Sequence, residues 1–248
     1  MITVADIVSL MQEKAPFETA ESWDNSGLLV GDSAAAVSTV LVSLDITEQI
    51  VSQTVQVGAQ LVVCHHPVIF DPLRQLTPSN PVYHLVQHGI AAVCVHTNLD
   101  KASDGVNDCL ARQLGLTDVS VAPDGMSRIG RLPTVMDADS FAKHVSLALG
   151  TAARVKKGSD CISTVAVCGG AGADLVLPLL EMADAAVTGE VKHHEWLQIP
   201  AEKTLVDGGH FFTENAVTET LVQWISERFA SLTVVLGAQQ PPYETVKD

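Results

Sequence analysis

The sequence predicts an α/β fold, because apolar, strand-like runs alternate with helix-like stretches along most of the chain. The strand-like runs are rich in Val, Ala and Leu and are continuously apolar, which is typical of strands covered on both faces. Apolar residues recur at helical spacing in the stretches between them, and one such stretch ends at a glycine. These observations favour a three-layer arrangement, with helices on both sides of a sheet.

The elements follow one another in a regular order. Six strands are expected, at 39–45, 60–65, 91–96, 163–169, 185–189 and 203–209. The main helical patterns are an amphipathic stretch at the start of the chain and those at 47–58, 105–116, 137–150 and 213–230. The turn-rich segment 117–133 is the best candidate for a boundary. We therefore predict an N-terminal α/β half at 1–122 and a C-terminal α/β half at 123–248.

The two halves share short similarities. The stretches that start at residues 38 and 163 begin alike, and at the end of a later strand each half has a histidine with a carboxylate four positions on. These pairs are His96 with Asp100 and His210 with Glu214. An ancient duplication would produce such matches, and so would a strand–helix rhythm that both halves happen to share.

Composition limits the classes of function. Hydrophobic residues make up 47% of the 248 residues and charged residues only 17%, so self-association is expected to cover part of the surface. The formal charge of −15 would repel a phosphate backbone, which argues against stable binding to long nucleic acid. A small phosphorylated molecule is compatible with this charge, since one local pocket or bound divalent cations can reverse its sign.

Cysteine usage and the apolar runs indicate a location. The five cysteines show no C-x-x-C spacing. Cys64, Cys94 and Cys168 lie in or at the ends of apolar runs, which is typical of small buried hydrophobes in a reducing compartment. The first residues lack a basic leader and a cleavage pattern, and no apolar run is long enough to span a bilayer. A cytoplasmic protein without membrane contacts is expected.

Two adjacent histidines, His65 and His66, end the second predicted strand, and Pro67 follows them. Neighbouring side chains in mid-strand point to opposite faces, whereas a turn at the strand end lets both reach forward. In open α/β sheets ligands bind beyond the carboxyl ends of strands. Both histidine–carboxylate pairs also lie just after predicted strand ends, so they are expected in the same region. A lone histidine is usually an ordinary polar group, but donors at three strand ends indicate a metal site.

The donor types narrow the metal. Imidazole and carboxylate without thiolate suit Zn, Mn, Fe, Co or Ni, and they argue against a cysteine-rich structural zinc site. Five or six donors exceed what one catalytic zinc uses, whereas two ions bridged by a carboxylate would accommodate them. Hydrolysis would follow naturally from such a pair.

Three other stretches have two interpretations each. Residues 168–175 would either cradle a phosphate or form only a tight strand-to-helix turn, which we favour. The stretch 188–196, with Glu190, His193 and His194, would bind substrate or begin a solvated helix. Residues 23–32 indicate little beyond a turn.

Together these stretches resemble the GTP cyclohydrolase 1 type 2 homologues, the YbgI-like dinuclear-metal proteins. The residues that carry the resemblance extend from 23 to 214 and read, in order, WDNSGLLVG, SLDIT, CHHP, HTNLDKASDGVND, CGGAG, TGEVKHHE and DGGHFFTE. A set of motifs in this order is highly specific. The chain departs from the family at 130–133, GRLP, where a second glycine is more usual.

The resemblance implies two interlocked α/β domains and a toroidal homohexamer whose metal pairs face its interior. It implies two divalent ions per subunit, with Glu214 bridging them and His96 beside or among the ligands. Some relatives carry a further domain between the halves, for which this chain is too short. The implied ligands are His65, His66, Asp100, His210 and Glu214.

Two classes of function follow from the resemblance. The first is a metal-dependent hydrolase that acts on a nucleotide or a related small molecule, with His96 or Glu190 moving protons. The second is a ring protein without catalysis that stores, inserts or delivers metal, or that senses a metabolite. The first needs a substrate pocket beside the ions, whereas a metal carrier needs only the donors.

Overall fold

The computed structural model describes residues 1–244, which form a mixed α/β structure with two sheets. The expected fold class is confirmed. The helices are α1 (Val4–Lys14), α2 (Glu48–Gln56), α3 (Pro81–Gln87), α4 (Thr97–Lys101), α5 (Val106–Gln113), α6 (Ala138–Leu149), α7 (Ala173–Leu179), α8 (His193–Gln198), α9 (His210–Glu214) and α10 (Val217–Arg228). The strands are β1 (Gly27–Val30), β2 (Thr39–Ser43), β3 (Leu61–Cys64), β4 (Ala91–Cys94), β5 (Thr117–Val121), β6 (Arg128–Met136), β7 (Arg154–Lys156), β8 (Ile162–Val167), β9 (Ala185–Thr188), β10 (Thr204–Asp207) and β11 (Thr233–Leu236).

The chain divides into two compact units. The first comprises residues 1–103 and 217–240, and the second comprises 104–216 and 241–248. The boundary predicted between residues 122 and 123 lies inside the second unit. The chain returns to the first unit because β11 pairs in parallel with β2, which places the α10–β11 segment on the first sheet.

The first unit contains a five-stranded sheet in the order β1-β4-β3-β2-β11. Strands β2, β3, β4 and β11 are parallel, and β1 runs antiparallel along β4. Every residue of β3 and β4 is buried, as the continuous apolar runs predict. The core cluster around these strands consists of aliphatic side chains and two cysteines. The parallel strands therefore end together at one edge of the sheet.

The second unit contains a six-stranded sheet in the order β5-β6-β8-β9-β10-β7. Its central strands β8, β9 and β10 are parallel, and β6 and β7 flank them in the antiparallel direction. Asp137 caps the start of helix α6, where its side chain accepts a hydrogen bond from the amide of Ser140, and Gly150 follows the helix in the left-handed region. Phe141 of α6 is fully buried in the core of this unit.

Taken separately, the two sheets share one arrangement of four strands. In each, three parallel strands follow one another in chain order, and an earlier antiparallel strand pairs with the last of them. These sets are β2, β3, β4 with β1, and β8, β9, β10 with β7. The shared order supports a duplication, which the sequence similarities alone left undecided.

Two segments differ from the sequence-based expectation. Residues 117–133, expected to be a turn-rich boundary, contain the hairpin of β5 and β6. All five residues of β5 are exposed, so this edge strand lacks the apolar run by which a strand is recognised. The helical pattern at 213–230 is divided between α9 and α10. Among the described residues, no helix has the length and apolarity needed to cross a membrane.

Candidate metal centre

Polar side chains of the first unit gather where its three central parallel strands end. Asp45 follows β2, His65 and His66 follow β3, and His96 follows β4. Because β2, β3 and β4 are neighbours in the sheet, their carboxyl ends bring these four side chains to one edge. The location predicted for the histidines of this unit agrees with the structure.

The backbone turns at the His65–His66 pair. The amides of both residues donate to the carbonyl oxygen of Leu44, at 3.1 and 2.9 Å, so the regular strand ladder ends here. The two imidazole rings lie on the same side, with centroids 4.9 Å apart, instead of diverging as in a continuous strand. This geometry explains how two successive histidines reach the same site.

His65, His66 and His96 form a cluster of three imidazoles. Ring centroids lie 4.9 to 5.7 Å apart, and one nitrogen of each ring lies within 4.8 Å of the other two, as a metal ion would need. His65 is fully buried, whereas the other two are partly accessible. The arrangement therefore offers three nitrogen donors on neighbouring rings, of which the rings of His66 and His96 remain reachable from solvent.

An oxygen atom holds Nδ1 of every ring in the cluster. Nδ1 of His65 donates to the backbone carbonyl of Val95 (2.9 Å), that of His66 to Asp45 (2.7 Å) and that of His96 to Asp24 (2.7 Å). Carbonyl and carboxylate oxygens only accept, so each neutral ring carries its proton on Nδ1 and its lone pair on Nε2. Such outer oxygen partners are typical of metal-binding histidines. The donor set fits a divalent ion.

Asp24 is a buried carboxylate with several donors around it. Its side chain is 0% exposed and accepts from Nδ1 of His96, from the hydroxyl and amide of Thr97, and from the hydroxyl of Ser26. Burial raises the pKa of Asp24, but the hydrogen bonds from His96 and Thr97 outweigh it and bring the pKa below its ordinary value. Asp24 therefore stays ionised and holds the His96 ring.

Asp100, a predicted ligand, lies next to this cluster. It follows His96 by four positions at the start of α4, and its Oδ1 atom lies 3.7 Å from Nε2 of His65. Its side chain is 16% exposed. The structure thus brings His65, His66, His96 and Asp100 together within the first unit.

The second unit holds the other predicted donors. His210 opens α9 after β10, and Glu214 lies one helical turn later on the same face. Nε2 of His210 lies 3.0 Å from a carboxylate oxygen of Glu214, and Nδ1 lies 2.9 Å from Glu190. Glu190 follows the neighbouring strand β9, and its carboxylate contacts Nδ1 of His210 as the Asp24 carboxylate contacts Nδ1 of His96. The structure thus brings His210, Glu214 and Glu190 together within this unit.

The glycines of CGGAG leave room for Glu214. A Cβ on Gly170 would lie 2.1 Å from Oε1 of Glu214, and the φ of +60° is unfavourable for other residues. A Cβ on Gly169 would lie 3.2 Å from Cγ of the same glutamate. The turn between β8 and α7 thus permits close approach of the backbone to the carboxylate, which agrees with the favoured interpretation.

A cleft of about 330 Å³ opens beside Glu190 in the second unit. Arg154, Asp207 and Tyr243 line it as well, and Arg154 forms an ion pair with the buried Asp207. Burial raises the pKa of Tyr243, and the nearby carboxylates of Asp207 and Glu190 raise it further, so its hydroxyl stays protonated. His193 and His194 are exposed at the start of α8, as expected for a solvated helix start.

Thiols next to the histidines do not add donors. Cys64 and Cys94 are paired residues of β3 and β4, and both are fully buried. Burial raises the pKa of the Cys94 thiol well above its ordinary value, and Cys64 raises it further. Its Sγ donates to the carbonyl oxygen of His65 (2.9 Å). This agrees with their interpretation as small buried hydrophobes.

No role was predicted from sequence for Asp24 or Asp45. Each lies in a motif that carries the resemblance, WDNSGLLVG or SLDIT, but separations of 72 and 21 residues from their histidines hide the contacts. The position of Asp45 just after a predicted strand end is the signal that would have suggested it.

Comparison with known proteins gives a consistent result. Residues 2–241 match the family described as Duf34/NIF3 (NGG1p interacting factor 3). A Lactococcus lactis protein named GTP cyclohydrolase 1 type 2 homolog is 32% identical over 220 residues, which are 84% of this chain and 86% of that protein. A Staphylococcus aureus protein of the same name is 36% identical over 140 residues, which are 55% of this chain but only 38% of that protein. The match therefore spans less than half of the S. aureus relative.

A solved structure resembles the whole chain. The crystal structure of a Staphylococcus aureus hypothetical protein superposes with a TM-score of 0.90, at 26% identity. The superposition covers 98% of this chain and 99% of that one.

Proposed function

The chain belongs to the Duf34/NIF3 family, and from this premise we propose that it is a divalent-metal-dependent hydrolase that acts on a nucleotide or a related small molecule. The resemblance carried by its motifs is confirmed at the level of the family. Several relatives bear the name GTP cyclohydrolase 1 type 2 homolog, which is the source of the proposed substrate class.

One observation carries the proposal for the metal. Oxygen acceptors fix Nδ1 of His65, His66 and His96, so three Nε2 lone pairs are presented to the same small volume. The oxygen acceptor behind each ring, a main-chain carbonyl for His65 and a carboxylate for His66 and His96, raises the basicity of the ring as a ligand, which is typical of metal-binding histidines. Two of the three rings remain partly accessible, as a substrate would require.

Two ions per subunit are proposed, following the family resemblance. The proposed ligands are His65, His66, Asp100, His210 and Glu214, with Glu214 as the bridge and His96 as a further donor. Imidazole and carboxylate donors suit Zn, Mn, Fe, Co or Ni. When bound, such ions would supply Lewis acidity and lower the pKa of water at the site.

The residues around the ligands have their own roles in this proposal. Asp24 and Asp45 hold the protons on Nδ1 of His96 and His66, which keeps both rings oriented. Glu190, which is exposed and contacts Nδ1 of His210, would exchange a proton with a molecule in the adjoining cleft. His96 is the second candidate for proton transfer.

The substrate is proposed to be a small phosphorylated molecule. With a formal charge of −15, the chain needs the ions to attract a phosphate group. The same charge disfavours long nucleic acid. The expected homohexamer and the cytoplasmic location also stay proposals. The five cysteines form no disulfide in the described structure, which is compatible with a cytoplasmic location.

The test is metal analysis of the purified protein, followed by a screen of nucleotides with each metal restored. We expect about two ions per chain and release of a product from at least one nucleotide. His66→Ala should lose metal and turnover, whereas His88→Ala, which changes an exposed histidine of the same unit, should lose neither. Full metal occupancy without turnover of any nucleotide would instead favour a metal-handling protein.

A further inference from the structure

Two aromatic rings border the histidine cluster and face solvent. Trp23 is 60% exposed and Phe70 is 49% exposed, in a chain whose aromatic content is only 4%. Their ring centroids lie 6.0 Å apart, and each lies 6.3 Å from the ring of His96 in an edge-on arrangement. Large exposed aromatic surface next to polar groups is typical of binding sites.

The loops that carry these rings are tied to each other and to the sheet. Nδ2 of Asn25 donates to the carbonyl oxygen of Ile69 (2.6 Å), which joins the residues next to Trp23 and Phe70. Asp24 is anchored to the amide of Thr97, and the hydroxyl of Ser26 accepts from the amide of His96. These bonds hold both loops beside His96.

We propose that Trp23 and Phe70 form a stacking platform for the planar, nitrogen-containing ring of the ligand, a ring of purine size. The inference rests on the proposed function, since it names the part of the substrate that lies beside the histidines. Aromatic faces bind heterocycles without needing a charge of the opposite sign, which suits a chain of formal charge −15.

The position of the platform agrees with this role. The planes of Trp23 and Phe70 are tilted by 53°, so a planar base would stack on one ring and pack its edge against the other. Both rings lie 6.3 Å from the ring of His96, so such a base would lie beside the histidine cluster. The base would therefore be presented to the histidine cluster, and stacking would contribute affinity that does not depend on the phosphate groups. The contribution of base–aromatic stacking is on the order of a tenfold change in affinity per ring or more.

The test is calorimetric titration of the metal-loaded protein with GTP and, separately, with inorganic triphosphate. Trp23→Ala and Phe70→Ala should each weaken GTP binding about tenfold and leave triphosphate binding unchanged. Trp23→Phe should retain most of the affinity. Leu73→Ala is the matched control, because Leu73 is similarly exposed, at 43%, three residues after Phe70.

Several results would overturn the platform. These are unchanged GTP affinity in both alanine variants, wild-type protein that binds GTP no better than triphosphate, or an equal loss for both ligands. A change of particle mass in light scattering with unchanged GTP affinity would assign the rings to a contact between copies. GTP binding that depends on the two rings, without turnover, would support the platform and contradict the hydrolase. Turnover with unaltered KM in both alanine variants would support the hydrolase and contradict the platform.

Discussion

Each histidine of the cluster formed by His65, His66 and His96 presents Nε2 because an oxygen acceptor holds its Nδ1. The acceptor differs from ring to ring: a main-chain carbonyl for His65, and carboxylates for His66 and His96. A carboxylate both fixes the tautomer and strengthens the ring as a donor, so its removal weakens metal binding without removing a ligand. The chemistry of the cluster thus depends on residues that would not touch the ion.

Asp24→Asn should lower metal affinity about 10- to 100-fold, because the amide no longer supplies a charged acceptor to Nδ1 of His96. Isothermal titration with Zn²⁺ or Mn²⁺ measures the effect. Asp32→Asn provides the control, since Asp32 is an exposed acid whose side chain accepts a hydrogen bond from the nearby amide of Ala34. Equal affinities of the two variants would mean that Asp24 does not support a metal ligand.

Glu214→Gln should sharply reduce the metal content while the protein stays folded and keeps its oligomeric state. Glutamine has the same shape, but it loses the charge and one of the two acceptor oxygens that a bridging role needs. Elemental analysis together with circular dichroism measures the outcome, with the exposed Glu202→Gln as control. Full occupancy in Glu214→Gln would contradict the bridging role.

At the scale of elements, the strand-to-helix turns position the donors. The turn between β8 and α7 passes so close to Glu214 that a Cβ at residue 170 would displace the glutamate carboxylate. Gly150, at the end of α6, has a similar positive φ but open space around the position of a Cβ. A substitution at Gly150 therefore tests backbone strain alone, whereas one at Gly170 tests backbone strain together with a steric conflict.

Gly150→Ala should cost about 1 kcal/mol in the free energy of unfolding, which is the cost of a left-handed conformation. Gly170→Ala should cost more and should also weaken metal binding, because its Cβ would displace the Glu214 carboxylate. Urea unfolding and metal titration of both variants measure these effects. If the two variants behaved alike in both assays, the close approach of Gly170 to Glu214 would have no functional weight.

Six parallel strands, β2 to β4 and β8 to β10, were predictable from sequence, whereas the strands that flank them in the two sheets were not. Buried runs such as 61–64 and 91–94 are apolar throughout, so their pattern is visible without any tertiary information. Strands β5, β7 and β11 are short or exposed, and pairing with a neighbour defines them more than their own residues do. The return of α10 and β11 to the first sheet is likewise set by a pairing between residues nearly 200 positions apart.

The positions of the candidate donors were predictable because these residues follow strand ends. His65, His66 and His96 follow apolar runs, and the rule that ligands collect at carboxyl ends applies to each. The oxygen partners were hidden, since Asp24 precedes a strand and its contact with His96 depends on the antiparallel pairing of β1 and β4. Trp23 and Phe70 were hidden for the same reason, as exposure and ring contacts are tertiary properties.

At the scale of the whole molecule, the amino-acid composition is one reason to expect that several copies of the chain associate. The high apolar content and the family resemblance both predict a particle of several subunits, each of 26.3 kDa. Multi-angle light scattering should therefore give a mass near six times that of one chain. A monomer at all concentrations would remove the proposed ring, and a dimer would remove the hexamer.

The central claim is that the imidazoles of His65, His66 and His96 bind a divalent cation through Nε2. The most direct measurement is anomalous diffraction from crystals of the zinc-loaded protein, recorded on both sides of the zinc absorption edge. We predict an anomalous peak about 2.0–2.1 Å from Nε2 of at least two of these rings. Zinc found only at other positions, or bound through Nδ1 after loss of the Asp24 and Asp45 contacts, would contradict the account.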